Sequence, residues 1–145
     1  MPKFKAWDKV NKQWMDDFMI TPDGQVAVWN APEYDTEHSD DYDLYEFTEQ
    51  TDKHKKEIYD GSIVEIKNTK RFIKEGNITC ISRVKMQEGH VYVWTQPIIK
   101  GRKIRYGAHE LYDGLSKYID MRGVATSDVR VIGHICENPE LLKEG

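Results

Sequence analysis

The sequence predicts a mainly β protein, α+β by class, with about seven or eight short strands and one or two short helices. Apolar and polar residues alternate in short runs, and turn-forming residues separate those runs at close intervals. Only one stretch, residues 108 to 121, shifts clearly to a helical period. Strands this short and numerous favour antiparallel sheets or a small barrel. At 145 residues the chain suits a single unit that buries about two-thirds of its unfolded surface.

In chain order, Lys3-Phe4-Lys5-Ala6-Trp7 alternates polar and apolar. Asp8 to Lys12 offers turn-forming side chains, and Gln13-Trp14-Met15 resumes an apolar run, which together predict a hairpin. Thr21-Pro22-Asp23-Gly24 is a second turn, with φ preset at Pro22 and a permissive Gly24, and it leads into a third strand, Gln25 to Trp29. These strands form an N-terminal antiparallel meander over residues 1–50. Residues 30–43 are acidic, contain Pro32 and have no aliphatic residue beyond Ala31, so a long exposed loop is expected there.

Leu44 to Thr48 reads as a strand with Leu44 and Phe47 on opposite faces. After the charged link Asp52 to Lys56, a turn at Asp60-Gly61 delivers the β-branched run Ser62 to Ile66. Ile78 to Met86, a turn at Glu88-Gly89 and His90 to Gln96 form the clearest hairpin, with Ile78, Cys80, Val84 and Met86 on one face. Leu111, Leu115, Tyr118 and Ile119 recur at helical spacing, and Gly123 stands ready to end that helix. Val129 to Ile135 is the last strand, and Asn138 and Pro139 open a short helix as cap and first residue.

The formal net charge is −4, and seven acids (Glu33, Asp35, Glu37, Asp40, Asp41, Asp43 and Glu46) fall in residues 33 to 46 without a Lys or Arg. Without them the charge would be +3, so a low isoelectric point does not preclude a cationic face. No apolar run reaches the roughly 20 residues a membrane helix needs, and the N-terminus lacks an export-signal pattern. A cytoplasmic protein without membrane contact is expected. Cys80 and Cys136 lie singly in strand-like runs with no Cys-x-x-Cys spacing, which suits reduced, buried thiols, although a disulfide between them is geometrically open.

Three separated blocks stand out: Lys3 to Asp8; Leu44 to Val64, with Phe47-Thr48, Asp52-Lys53, Lys56-Glu57-Ile58-Tyr59, Gly61 and Ile63-Val64; and Val129 to Leu142, with Val131-Ile132-Gly133 and Glu137-Asn138-Pro139-Glu140-Leu141-Leu142. In this order and spacing they resemble the YopX family of phage and prophage proteins. Ser62, His54-Lys55, His134 and Cys136 depart from the residues the family usually carries. The resemblance implies a C-terminal SH3-like β-barrel over residues 56–142 in a bacterial host cell, and it brings no activity or ligand with it. The fold expected of the whole chain is therefore the meander packed on that barrel, which the alternation closes around Ile63, Val84, Val93 and Ile132.

No nucleophile-and-base, zinc or phosphate-loop signature occurs, so neither catalysis nor a cofactor is expected. His109-Glu110 is the nearest acid-base pair. Neighbours on a helix point about 100° apart, however, so a solvated surface pair is the preferred reading. Asp35, Asp40, Asp41 and Asp43 lack the alternation and the Gly of a calcium loop, and a solvated loop is preferred over a metal site. Three basic runs, Lys53/Lys55/Lys56, Lys67/Lys70/Arg71 and Lys100/Arg102/Lys103/Arg105, are candidates for nucleic acid, with Trp94 and Tyr106 near the last, although solvated loops are commonly charged. Trp7, Trp14, Trp29 and Trp94 are assigned mainly to core packing, with Trp14 and Phe18 partly exposed as a self-association patch. The expected function is a binding or adaptor protein that forms a homo-oligomer or engages a phage or host protein, with nucleic-acid binding as the alternative.

Overall fold

A computed structural model describes residues 3–66, 80–94, 98–99, 102–103, 118–120 and 128–142. The fold is mainly β, as the alternation predicts, and the chain divides into two compact units, Met1–Phe47 and Thr48–Gly145.

In the first unit β1 (Phe4–Asp8) pairs antiparallel with β2 (Gln13–Trp14), in register Trp7↔Trp14. The predicted turn between them is held by Asp8, whose Oδ1 accepts the N–H groups of Val10 (2.9 Å) and Asn11 (3.0 Å) while Oδ2 accepts Asn11 Nδ2 (2.8 Å). These donors stabilise the carboxylate, and Asn11 leads in lowering its pKa. β3 (Met19–Ile20), β4 (Val26–Asn30) and β5 (Glu33–Asp35) form a separate three-stranded sheet.

The acidic segment 30–43 is therefore not the structureless loop its composition suggests. Glu33–Asp35 pairs with Val28–Asn30 across a turn whose Ala31–Pro32 peptide is cis, and a 3-10 turn follows at Ser39–Asp41. Polar bonds rather than apolar burial hold it. Asn30 Nδ2 donates to Asp35 Oδ2 at 2.9 Å, and the Val26 N–H donates to Ser39 Oγ at 2.9 Å.

The first unit closes with Tyr42–Phe47, the opening part of β6 (Tyr42–Thr51), which pairs along the whole of β1 from Phe4↔Glu46 to Asp8↔Tyr42. Ala6 and Trp7 are buried in this small sheet.

In the second unit, the end of β6 runs beside β7 (Glu57–Tyr59), and the buried Thr48 Oγ1 donates to the Ile58 carbonyl at 2.6 Å. β8 (Ser62–Ile66) lies between β9 (Cys80–Gln87) and β14 (Val129–His134). The Glu88-Gly89 turn joins β9 to β10 (His90–Trp94) in register Gln87↔His90. Both turn residues have positive φ, 51° and 78°, the conformation a tight two-residue hairpin demands. β11 (Ile98–Ile99), β12 (Arg102–Lys103) and β13 (Tyr118–Asp120) complete an antiparallel half-barrel. Its core holds Ile63, Val64, Ile66, Val84, Val93 and Val129, each 2 % exposed or less.

Three expectations change here. Tyr118–Asp120, read as the end of a helix, is a strand on the edge of β10, with Val93↔Ile119 in register. A vacant ladder position there outweighs the helical period, and both Tyr and Ile suit a strand. Ile132, expected in the core, is half-buried at a bulge between the pairs Val131↔Val64 and Gly133↔Ile63. The closing helix is a 3-10 turn, Pro139–Leu142, and Asn138 Oδ1 accepts from the His134 N–H (3.3 Å) behind it. Ile78, Thr95-Gln96, residues 108–117 and Gly123 lie outside the described residues.

Candidate functional site

The β3–β4–β5 sheet presents a face that includes Trp29, which the sequence assigns mainly to core packing. Met19 is opposite Ala27 and Trp29 is opposite Tyr34, so all four side chains project to the same side. Ala27 is buried, but Met19 is 48 %, Trp29 51 % and Tyr34 37 % exposed. The two rings meet edge to face, with centroids 5.2 Å apart. A turn tied at several points sets up the strands: Gly24 N–H donates to the Thr21 carbonyl (2.9 Å), Gln25 N–H donates to Thr21 Oγ1 (3.0 Å), and the Thr21 hydroxyl bonds Asp23. Gly24 takes the positive φ, 87°.

The other tryptophans of this unit are engaged differently. Trp7 is buried, and Trp14 is half-buried between Trp7 (4.9 Å) and Tyr45 (6.1 Å), both edge to face, with Lys5 Nζ 4.2 Å from its ring centre. That places a cation against an aromatic face. Phe18, also half-buried, precedes β3. Among the described residues no lysine or arginine lies over Trp29.

The segment that carries Tyr34 is acidic, with Glu33, Asp35 and Glu37 close to it in sequence. Burial first, and then the charges of Asp8, Asp41 and Asp35, push the Tyr42 hydroxyl pKa up. Asp43 is partly balanced by Lys9 at 3.5 Å. Among the described residues no three His, Cys, Asp or Glu side chains gather as a metal cage.

Of the basic runs, Lys53, Lys55 and Lys56 are exposed on one tight turn. Asp52, 5 % exposed, organises it: Oδ1 accepts the N–H groups of His54 (2.8 Å) and Lys56 (2.9 Å), and Oδ2 accepts that of Val131 (2.8 Å). Burial raises its pKa, but these three donors and nearby His54 outweigh it and leave the carboxyl below its ordinary value. Lys55 adopts φ 63°, the conformation that a turn glycine would take without strain. Arg102 and Lys103 form β12. Lys67, Lys70, Arg71, Lys100, Arg105, Tyr106 and the His109-Glu110 pair lie outside the described residues, as does the side chain of Trp94.

Two further family departures have defined structural roles. Ser62 Oγ accepts the Tyr59 N–H at 2.8 Å. Buried His134 accepts the Cys136 N–H on Nδ1 (3.2 Å), which leaves Nε2–H to donate to the Asp60 carbonyl (2.8 Å). With both ring nitrogens used in bracing the Asp60-Gly61 turn, His134 is structural.

These features define a mainly β protein with a C-terminal half-barrel and an exposed aromatic face on its N-terminal unit. The chain belongs to the YopX protein family, whose sequence model matches residues 3–143. It is similar in fold to protein EF1440 from Enterococcus faecalis, with a TM-score of 0.57 and 20 % identity over 99 % of both chains. It is also similar to protein yopX from Bacillus subtilis, with a TM-score of 0.51 and 21 % identity over 99 % of this chain and 98 % of that one. No curated protein gives a match.

Proposed function

We propose that this chain is a non-catalytic binding or adaptor protein of phage or prophage origin, acting in the host cytoplasm through protein–protein contacts, self-association among them. The observation that supports this is the Met19–Trp29–Tyr34 face. Trp, Tyr and Met are enriched where proteins meet, because each offers a large contact area and its cost in water is relieved on docking. In this reading the second unit is an SH3-like barrel that serves as a scaffold.

A second reading, nucleic-acid binding, is favoured by the way Asp52 holds Lys53, Lys55 and Lys56 exposed on one turn. Fluorescence polarisation with a labelled oligonucleotide at two salt concentrations, alongside light scattering across protein concentration, separates the two. Protein–protein function predicts no oligonucleotide binding at low salt, and its self-associating form predicts a mass above the monomer. Tight oligonucleotide binding that weakens steeply with salt, by a chain that stays monomeric, would favour the second reading.

A further inference from the structure

We infer that the Trp29–Tyr34 face receives an arginine- or lysine-bearing segment of another protein. This rests on the binding reading above and names the chemistry of the partner. The two rings are half-exposed and fixed edge to face at 5.2 Å, so Trp29 presents π surface to solvent. An aromatic face attracts cations, and the same unit already places Lys5 over Trp14 at 4.2 Å. No described lysine or arginine fills that role at Trp29.

Charge decides between possible occupants. Tyr34 lies within the run of seven acids that holds no Lys or Arg, and Glu33 and Glu37 on either side are exposed. A phosphate backbone would be repelled there, whereas a guanidinium or ammonium gains directly from the ring and at longer range from the field of the acidic segment, although Glu33, opposite Asn30, projects to the other side of the sheet. Arginine is the better fit, because its planar, weakly hydrated group stacks on an indole. Tyr34 is the positioning residue, since its edge contact fixes the plane of Trp29. β5 brings it there through the register Trp29↔Tyr34.

The test uses the full chain and a fluorescein-labelled arginine-rich peptide, with lysine and glutamate counterparts, read by fluorescence polarisation. The arginine peptide should bind best and the glutamate peptide not at all. Trp29→Ala should weaken arginine binding about tenfold while leaving the circular dichroism and melting temperature unchanged, and Trp29→Phe should restore part of the loss. Glu33→Gln with Glu37→Gln should weaken it further and flatten its salt dependence.

Equal affinity in wild type and Trp29→Ala would overturn the inference, as attraction to charge alone would then suffice. So would a Trp29→Ala variant that leaves peptide binding intact but lowers the mass seen by light scattering. That result would make a second copy the occupant and leave the binding reading standing. A chain that binds no peptide, stays monomeric and takes up the oligonucleotide would remove both.

Discussion

Gly61 is where the residue scale is most exacting. Its φ is +85°, and a Cβ there would lie 2.7 Å from both Cε1 and Nε2 of His134. Alanine must therefore accept backbone strain and displace a buried ring that braces the turn. Gly61→Ala should cost about 2 kcal/mol or more, measured by urea unfolding. Gly89 has φ +78° with nothing within 4 Å of such a Cβ, so Gly89→Ala should cost only about 1 kcal/mol. Equal losses at the two sites would show that His134 does not crowd Gly61.

Asp52 makes the complementary case in charge. With its folded pKa below the unfolded value, its contribution is fully present above the unfolded pKa of about 3.9 and is lost as pH falls through the folded value. Asp52→Asn should lower stability by about 1–3 kcal/mol at neutral pH and flatten the acid limb of the stability curve below about pH 4. An unchanged acid limb would contradict the bonds to His54, Lys56 and Val131. Gly61 was legible as a turn former because Asp-Gly signals a turn through local chemistry, whereas Asp52 read only as part of a charged link. The long-range partners of both, at 131 and 134, were not legible.

Among elements, β8 is paired on both sides, and Ile63, Val64 and Ile66 are fully buried. Its amides should exchange with deuterium more slowly than those of β5, which is an edge strand of three mostly exposed residues. Comparable protection in the two would contradict the half-barrel as the stable core. The hairpins at Asp8–Lys12, Thr21–Gly24 and Glu88-Gly89 could be read from sequence because each is specified within a few residues. β5 could not, because Glu33–Asp35 has the composition of a loop and becomes a strand only through pairing with β4. Tyr118–Asp120 misled in the opposite direction, since its spacing fits a helix and only the edge of β10 makes it a strand.

At the scale of the whole molecule, a net charge of −4 conceals an acidic N-terminal segment set against a remainder of +3. The candidate surface adjoins the acidic part, whereas the sequence points first to the basic runs and to a core place for Trp29. The alternation Val26-Ala27-Val28-Trp29 shows that Trp29 shares a face with Ala27, but not whether that face is covered. A tyrosine embedded in an acidic run was the available signal. Its significance depends on the register that places it against Trp29.

Fluorine NMR of the chain labelled with 5-fluorotryptophan addresses this surface most directly, since the four tryptophans give separate resonances. On titration with the arginine-rich peptide, the resonance removed by Trp29→Phe should shift progressively while that of buried Trp7 stays fixed. A Trp29 resonance that remains still while peptide binds elsewhere on the molecule would contradict the account.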